Sequence, residues 1–285
     1  MPTALTTTAT IGTAITPEDR SSIVLLPLTR DSLALRTAFP IPTRRDEVRV
    51  PRLTGDAPAS FVEEGADLPE GAPTVDELAL RPAKIGLWKP ISRELAEDSD
   101  PTALSLIGES FARSLRTALD TAFIASDGTG LGGKVPAGVL TADNSTDGGT
   151  LTGASLDPLQ DALTQVEAAG GTPSVIALHP DTWGVLAKLK DETGSSRPLL
   201  GSPTDGKVDR TLFGVPVFVD ATVPTDLVGV WDRNAIAVVL RQDVQFEASR
   251  EALFRSDSIA LRSTIRAAWG VLDEGRVVRI AVDLA

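Results

Sequence analysis

Apolar side chains recur every three or four residues between residues 104 and 122, a spacing that predicts one long amphipathic helix. The apolar positions are Leu104, Ile107, Phe111, Leu115, Leu119 and Ala122. The charged residues Glu109, Arg113, Arg116 and Asp120 fall on the other faces. Asp100 can cap the helix, Pro101 suits its first position and Asp127-Gly128 ends it, so we expect a helix over 101–126. At ~1.5 Å per residue it is ~38 Å long, more than most helices in globular domains.

Farther along, short helical and strand-like patterns alternate between residues 156 and 240. Helices are predicted over Leu156–Ala168 and Asp181–Asp191, and strands over Val175–Leu178, Val215–Val219, Val228–Trp231 and Ala235–Leu240. Gly170-Gly171 stops the first of these helices. Alternation of this kind predicts a compact α/β unit.

The end of the chain alternates apolar and polar side chains with period two, the pattern of a strand. The apolar set is Ile259, Leu261, Ile265, Ala267, Trp269 and Val271, with Arg262, Thr264 and Arg266 on the opposite face. We therefore expect a long strand with one buried and one charged face, followed by a last strand over Val277–Val282.

Three stretches lack such a pattern. Met1–Thr16 carries seven threonines and no charged side chain, and we interpret it as an arm ordered only against a neighbour, the alternative being a leader without a role. Ile23–Arg52 contains four prolines, which favour extended backbone, and six arginines against three acids. Ser126–Gly153 is rich in Gly, Asp and Thr and is interpreted as a connector.

An acidic excursion precedes the long helix. Between Ser60 and Glu77 there are six acids and no Lys or Arg, punctuated by glycine and proline, which favours an exposed loop or hairpin tip. The returning limb, Leu78–Leu95, turns basic, with Arg81, Lys84, Lys89 and Arg93.

The order of these parts resembles the major capsid proteins of tailed bacteriophages, the Hong Kong 97 fold, in which an extended loop returns directly into a long spine helix. The resemblance is carried by SFVEEGADLPEGAPTVDELALRPAKIGLWKPISRELAEDSDP at residues 60–101, by the helix, and by DGTGLGGKVPAGVL at residues 127–140. It covers roughly Leu26 to Val282 and rests on the order of parts, not on a catalytic motif. It implies an α+β fold with an N-terminal arm, an extended β-hairpin loop, a peripheral domain that contains the spine helix, and an α/β axial domain.

The resemblance also implies a division of the chain. The arm is residues 1–27 and the extended loop is 47–89. The peripheral domain comprises 28–46, 90–153 and 239–269, with the spine helix at 101–126. The axial domain comprises 154–238 and 270–285.

Composition narrows the chemistry that the chain can carry. Its 285 residues are 42% apolar, which suffices for about two domains with cores. Cysteine is absent and histidine occurs once, which excludes disulfides, thiolate metal sites and a histidine-rich metal centre, and we expect no cofactor. No apolar run approaches the ~18 residues of a membrane span, and the N-terminus lacks the charged start and apolar block of a secretory signal, so we expect neither.

The net charge of −12 argues against sequence-independent binding of nucleic acid through neutralisation of its phosphates. An acidic or neutral wall suits a container that holds DNA without sequence-specific contact, although solubility alone would also explain the charge.

Two features look like catalytic chemistry and are set aside. Gly128–Lys134, GTGLGGK, matches a phosphate-binding loop, but Val135 replaces the Ser or Thr and a helix rather than a strand precedes it, so we interpret it as a flexible connector. His179 is expected to end a strand and to bond to backbone. The sequence contains no nucleophile elbow, and no catalytic residue is assigned.

The resemblance implies a structural protein, not an enzyme, that assembles with itself as pentamers and hexamers into an icosahedral head around double-stranded DNA. Separate scaffold, portal and decoration proteins are possible partners, and the expected location is the virion capsid, assembled in the host bacterial cytoplasm. We expect subunit interfaces at loop-tip Glu63, Glu64 and Asp67, limb Trp88 and Lys89, and spine Phe111 and Arg113, with the acidic tip docking on a neighbour's basic surface. The alternatives are an encapsulin-like protein compartment and a carboxylate-dependent hydrolase.

Overall fold

The structure, a computed structural model, describes residues 30–55, 61–62, 72, 74–92, 101–153, 155–190, 199–200, 210–249 and 251–283. The helices are α1 (Leu33–Thr37), α2 (Pro101–Ala125), α3 (Asp157–Ala168) and α4 (Pro180–Leu186), with a single turn at Gly130–Gly133 and 3₁₀ turns at Arg233–Ala235, Phe254–Ser256 and Glu274–Arg276. The strands are β1 (Phe39–Thr43), β2 (Val48–Gly55), β3 (Thr74–Leu80), β4 (Ala83–Ser92), β5 (Thr146–Thr152), β6 (Val175–Leu178), β7 (Thr211–Leu212), β8 (Val215–Val219), β9 (Leu227–Trp231), β10 (Ile236–Ser249), β11 (Ser258–Val271) and β12 (Val277–Asp283).

The long helix α2 packs on a four-stranded sheet of order β1-β10-β11-β4. The odd-numbered residues of β11 face the helix, as the period-two pattern predicted, and the rings of Phe123 and Trp269 meet edge to face at 6.1 Å. The Trp269 Nε1–H donates to the Ala137 carbonyl at 2.8 Å, which ties the segment after α2 to the same core. The helix and the sheet are therefore held as one layered unit.

A second sheet, of order β5-β12-β9-β6-β8-β7, carries α3 on one face. Leu159, Leu163 and Val166 of α3 are buried against Ile176 of β6 and Val230 of β9 in their own apolar cluster. This is the α/β unit that the alternating pattern predicted.

The two-stranded hairpin β2–β3 covers one end of the four-stranded sheet on the side away from α2. Leu80 joins a small core with Val239 and Ala268, and a Cβ at Gly270 would lie 2.6 Å from Leu78 Cδ2. Glycine at 270 thus permits the hairpin to approach the sheet closely.

The prediction of extended backbone through residues 23–52 is wrong at α1. Ser32 caps this short helix, and the Asp120 carboxylate accepts hydrogen bonds from Ser32 Oγ at 2.6 Å and from the Leu33 and Ala34 N–H groups at 3.0 Å each. Asp120, predicted on the polar side of the long helix, is instead fully buried. The acceptor that this helix start requires is supplied from a distant part of the chain.

Other boundaries also differ from the predictions. The connector over 126–153 contains β5, an edge strand that pairs in parallel with β12. Helix α4 ends at Leu186 rather than at Asp191, and β10 continues to Ser249 rather than ending at Leu240. Residues 83–89, placed by the resemblance in the extended loop, belong to β4 and pair with β11.

Candidate assembly surface

The face of the four-stranded sheet opposite α2 carries rows of long polar side chains. Residues directly opposite each other in an antiparallel pair point to the same side of a sheet. One row runs across three strands through Lys84, Arg266 and Arg241, and the next charged row through Trp88, Arg262 and Glu247. We call this set the basic face.

Basic side chains outnumber acids on the basic face. Arg262 donates to Glu247 at 2.5 Å, and Arg241 contacts Asp46, whose carboxylate also lies 3.9 Å from Arg266. Arg262 and Glu247 are both exposed, and Asp46 is 89% exposed, so each pair contributes only about 0–1 kcal/mol. With Asp46 counted, the described side chains of the basic face comprise four cations and two acids, a net positive charge.

An aromatic side chain stands within this charged surface. Trp88 on edge strand β4 is 55% exposed and lies opposite Arg262. Tryptophan is enriched at the centres of protein interfaces, where it buries a large area at a low cost in side-chain entropy. The basic face therefore offers a partner both charge and an apolar anchor.

The predicted interface residues do not share one patch. Trp88 and Lys89 are consecutive on β4, so their side chains point to opposite sides of the sheet, and Lys89 lies opposite Leu261 on the side of α2. Phe111 is 2% exposed and packs inside the subunit against Phe246, with ring centres 5.8 Å apart. Arg113 is exposed on the outer side of α2. Glu63, Glu64 and Asp67 lie outside the described residues.

Two of the six excursion acids are paired within the hairpin. Asp76 accepts from Arg52 at 2.9 Å across the β2–β3 ladder, and this guanidinium holds the pKa of Asp76 below its usual value. Glu77 lies 3.4 Å from Arg49. Acids at positions 76 and 77 are thus neutralised by the same chain, which leaves those of residues 63–70 as the candidates for contact with a neighbour.

The base of the hairpin carries a further ion-pair cluster. Glu47 accepts from Arg49 at 3.1 Å and from Arg81 at 3.0 Å, and both guanidiniums lower the pKa of Glu47. Of the described basic residues of the limb, Arg81 therefore belongs to this cluster and Lys84 to the basic face, whereas Lys89 lies on the side of α2.

A buried charge network links α2 to both neighbouring elements. Besides its bonds to α1, Asp120 accepts from Arg116 at 3.3 Å, and the same Arg116 contacts Asp220, which follows β8. Burial raises the pKa of Asp120, against the hydrogen bonds that it accepts. Sequence reasoning missed this network, although Ser32 three residues before Leu35 is an ordinary N-cap pattern.

The features that resembled catalytic chemistry have structural roles. The His179 Nδ1 atom accepts from the Asp181 N–H at 3.1 Å and caps α4, which confirms the predicted bond to backbone. Gly128–Lys134 follows helix α2 rather than a strand. In the part of the chain that the structure describes, no cluster of three His, Asp or Glu side chains is arranged to hold a metal ion. None of the described helices has both the length and the apolarity of a membrane span.

Comparison with known proteins agrees with this architecture. The model of the phage capsid family matches residues 12–282. The capsid polyprotein of Pseudomonas phage PAJU2 is 28% identical over 206 residues, which are 70% of this chain and 30% of that polyprotein. The chain thus spans under a third of the length of this curated relative.

Solved structures with the same fold include two phage proteins and one particle capsid. The protein of Gordonia phage Cozz superimposes with a TM-score of 0.72 at 21% identity, covering 89% of this chain and 87% of that one. The protein of Mycobacterium phage Bobi gives 0.70 at 21% identity, covering 89% and 91%. The capsid of a native GTA particle gives 0.70 at 19% identity, covering 91% and 90%.

Proposed function

The chain belongs to the phage capsid family, and from this premise we propose that its copies join as pentamers and hexamers in an icosahedral head, through contact between acidic loops and basic faces. Within this family it is a structural major capsid protein with the Hong Kong 97-like α+β fold, it acts without catalysis, and it is located in the virion capsid. The observation that carries the proposed mode of contact is the net positive basic face with exposed Trp88 at its edge.

Charge complementarity supports this mode of contact. Residues 63–70 contain Glu63, Glu64, Asp67 and Glu70 and no basic side chain, whereas the basic face carries four cations against two acids. A single exposed pair contributes about 0–1 kcal/mol, so the contact depends on many copies acting together. Opposite charges also orient the encounter and suppress incorrect contacts.

The remaining parts follow the division implied by the family. We propose that residues 1–27 form an arm that extends along an adjacent copy, that 47–82 act as the extended loop, since 83–89 belong to β4, and that the unit built on β5-β12-β9-β6-β8-β7 surrounds the symmetry axes. One chain then occupies nearly equivalent positions in rings of five and six, burying area that no monomer could bury. Packaged double-stranded DNA, without sequence-specific contact, and separate scaffold, portal and decoration proteins are the proposed partners, with assembly in the host cytoplasm.

The test reverses the charge of the loop tip. The triple variant Glu63→Lys, Glu64→Lys, Asp67→Lys should assemble poorly, as measured by light scattering and negative-stain microscopy of the purified protein. The control makes the same change in net charge at exposed acids elsewhere, Asp143→Lys, Asp161→Lys and Glu167→Lys, and should still form shells.

The salt dependence provides a second readout. Raising the ionic strength shortens the screening length from ~10 Å at 0.1 M to ~3 Å at 1 M, so the wild type should lose part of its assembly rate while the loop-tip variant changes less. Normal shells from the loop-tip variant at the wild-type concentration would refute the proposed contact. Neither the encapsulin-like compartment nor the hydrolase is favoured by the comparisons.

A further inference from the structure

Three described residues other than glycine have a positive φ angle. They are Leu131 at 53°, Phe213 at 51° and Asp257 at 46°. Asp enters the left-handed region readily because its short polar side chain can bond locally, whereas Leu and Phe enter it at a steric cost. Two large apolar residues in this conformation therefore require an explanation.

Both strained apolar side chains leave half or more of their surface exposed. Leu131 is 69% exposed and Phe213 is 52% exposed. Each has both an unfavourable backbone conformation and apolar surface left in water. A single subunit thus gains little from having these residue types at these two positions.

Phe213 forms the tip of the β7–β8 hairpin. Leu212 pairs with Val215, so the loop consists of Phe213 and Gly214 alone, with φ angles of 51° and 82°. Two successive positive φ angles are the pattern of a type I′ turn, for which Asn-Gly is strongly preferred. A Cβ at Gly214 would meet no described atom within 4 Å, so this side of the turn faces open space.

Leu131 occupies the turn that follows α2. Gly132 and Gly133 also have positive φ angles, and a Cβ at either would meet no atom within 4 Å. This turn lies within the glycine-rich Gly128–Lys134 stretch, which follows a helix rather than a strand. The turn presents a leucine into solvent at the end of the longest helix.

We propose that Phe213 and Leu131 are contact points at which one copy of this chain inserts an apolar side chain into another copy. Burial of these two side chains in a neighbouring copy would remove from water the apolar surface that the free subunit exposes. This stabilising contribution explains why neither position carries Asn or Gly. The partner is a second copy because the chain belongs to a shell-forming family, so this inference rests on the self-assembly proposed above. The two residues lie in different units of the fold and mark two separate contacts.

The proposal predicts opposite effects on folding and on assembly. Phe213→Asn places the preferred residue in the type I′ turn, so the melting temperature of unassembled subunits should rise by about 1–4 °C. The same change removes the inserted ring, so the protein concentration at which shells appear should rise at least about tenfold. Leu131→Asn should show the same pair of effects.

Thr211→Asn is the matched control, because it introduces the same residue at an exposed position of the same hairpin. It should assemble at the wild-type concentration. Melting is measured by scanning calorimetry below the assembly threshold, and assembly by light scattering with microscopy.

The outcomes separate this inference from the proposed function. Shell formation by Phe213→Asn and Leu131→Asn at the wild-type threshold would overturn the inference while leaving self-assembly intact. A lower melting temperature in both variants would also overturn it, since the side chains would then serve folding within the subunit. Failure of the wild type to assemble under any condition would refute the proposed function itself.

Discussion

Replacing the buried Asp120 with alanine tests how the N-terminal helix α1 is attached to the spine helix α2. The carboxylate accepts four hydrogen bonds, from Ser32 Oγ, from the Leu33 and Ala34 N–H groups and from Arg116 Nε, at 2.6 to 3.3 Å. Asp120 is fully buried, so water would not replace the acceptor in the folded state. Asp120→Ala therefore leaves at least three donors unsatisfied at the start of α1.

The cost follows from the number of orphaned donors. A buried donor without a partner costs about 1–3 kcal/mol, so three donors correspond to about 3–9 kcal/mol. Burial of the charged carboxylate is unfavourable, and this is the cause of the raised pKa of Asp120. The alanine variant no longer carries this penalty, which offsets part of the loss. We expect a net decrease of about 3 kcal/mol in the free energy of unfolding, which corresponds to about 6–12 °C in melting temperature.

The assay is denaturant unfolding of unassembled subunits, followed by tryptophan fluorescence. Trp231 reports on α1 because its Nε1–H donates to the Thr37 carbonyl at 2.9 Å, at the end of that helix. Asp161→Ala, an exposed acid on α3, serves as the control and should change the free energy by less than about 0.5 kcal/mol. An Asp120→Ala subunit within about 1 kcal/mol of the wild type would refute the reasoning.

The pH dependence provides an independent check. Because the folded-state pKa of Asp120 is raised above 3.8, the folded state binds more protons than the unfolded chain between 3.8 and that higher pKa. The contribution of Asp120 to stability therefore declines as the pH rises through this window. The difference in unfolding free energy between the wild type and Asp120→Asn should shrink across it, and a difference that grows with pH would contradict the direction of the shift.

Two further substitutions test packing around α2. Ser263→Ala should leave the free energy of unfolding unchanged or raise it by up to about 1 kcal/mol, since the buried Ser263 hydroxyl has no hydrogen-bond partner among the described residues. A loss above about 1 kcal/mol in denaturant unfolding would contradict this. Gly138→Ala should lower the melting temperature by at least about 5 °C, because a Cβ there would lie 2.5 Å from the Ile124 carbonyl oxygen. Gly184→Ala, which has open space around the added Cβ, is the control, and equal melting temperatures of the two variants would contradict the prediction.

The local spacing of apolar residues was sufficient to predict the elements that bury one continuous face. Helix α2 was predicted over 101–126 and spans Pro101–Ala125, and the strands Val175–Leu178 and Val215–Val219 lie where the apolar runs predicted them. In each case the residues that define the element are neighbours in sequence. The order of these elements along the chain was enough to identify the family resemblance, which the family match confirms.

The same reasoning predicted only part of the candidate assembly surface. The basic limb and the acidic excursion were visible as charge runs, but the sign of a run does not reveal which charges are paired. Cross-strand pairing in β2–β3 assigns Asp76 to Arg52 within the hairpin. Strand alternation likewise separates Trp88 from Lys89, although they are adjacent in sequence.

Residue spacing and composition were thus enough to predict the long helix, the apolar strands, the absence of thiol chemistry and the family. The segments that depend on a distant partner could be recognised only in the folded chain. Helix α1 forms among prolines and arginines because Asp120, 86 residues after Ala34, supplies the acceptor at its start. Strand β5 forms despite Gly148 and Gly149 because β12, more than a hundred residues later, supplies its backbone hydrogen bonds. Hydrogen bonds of this kind join residues that no local pattern connects, so they become visible only when the chain is folded.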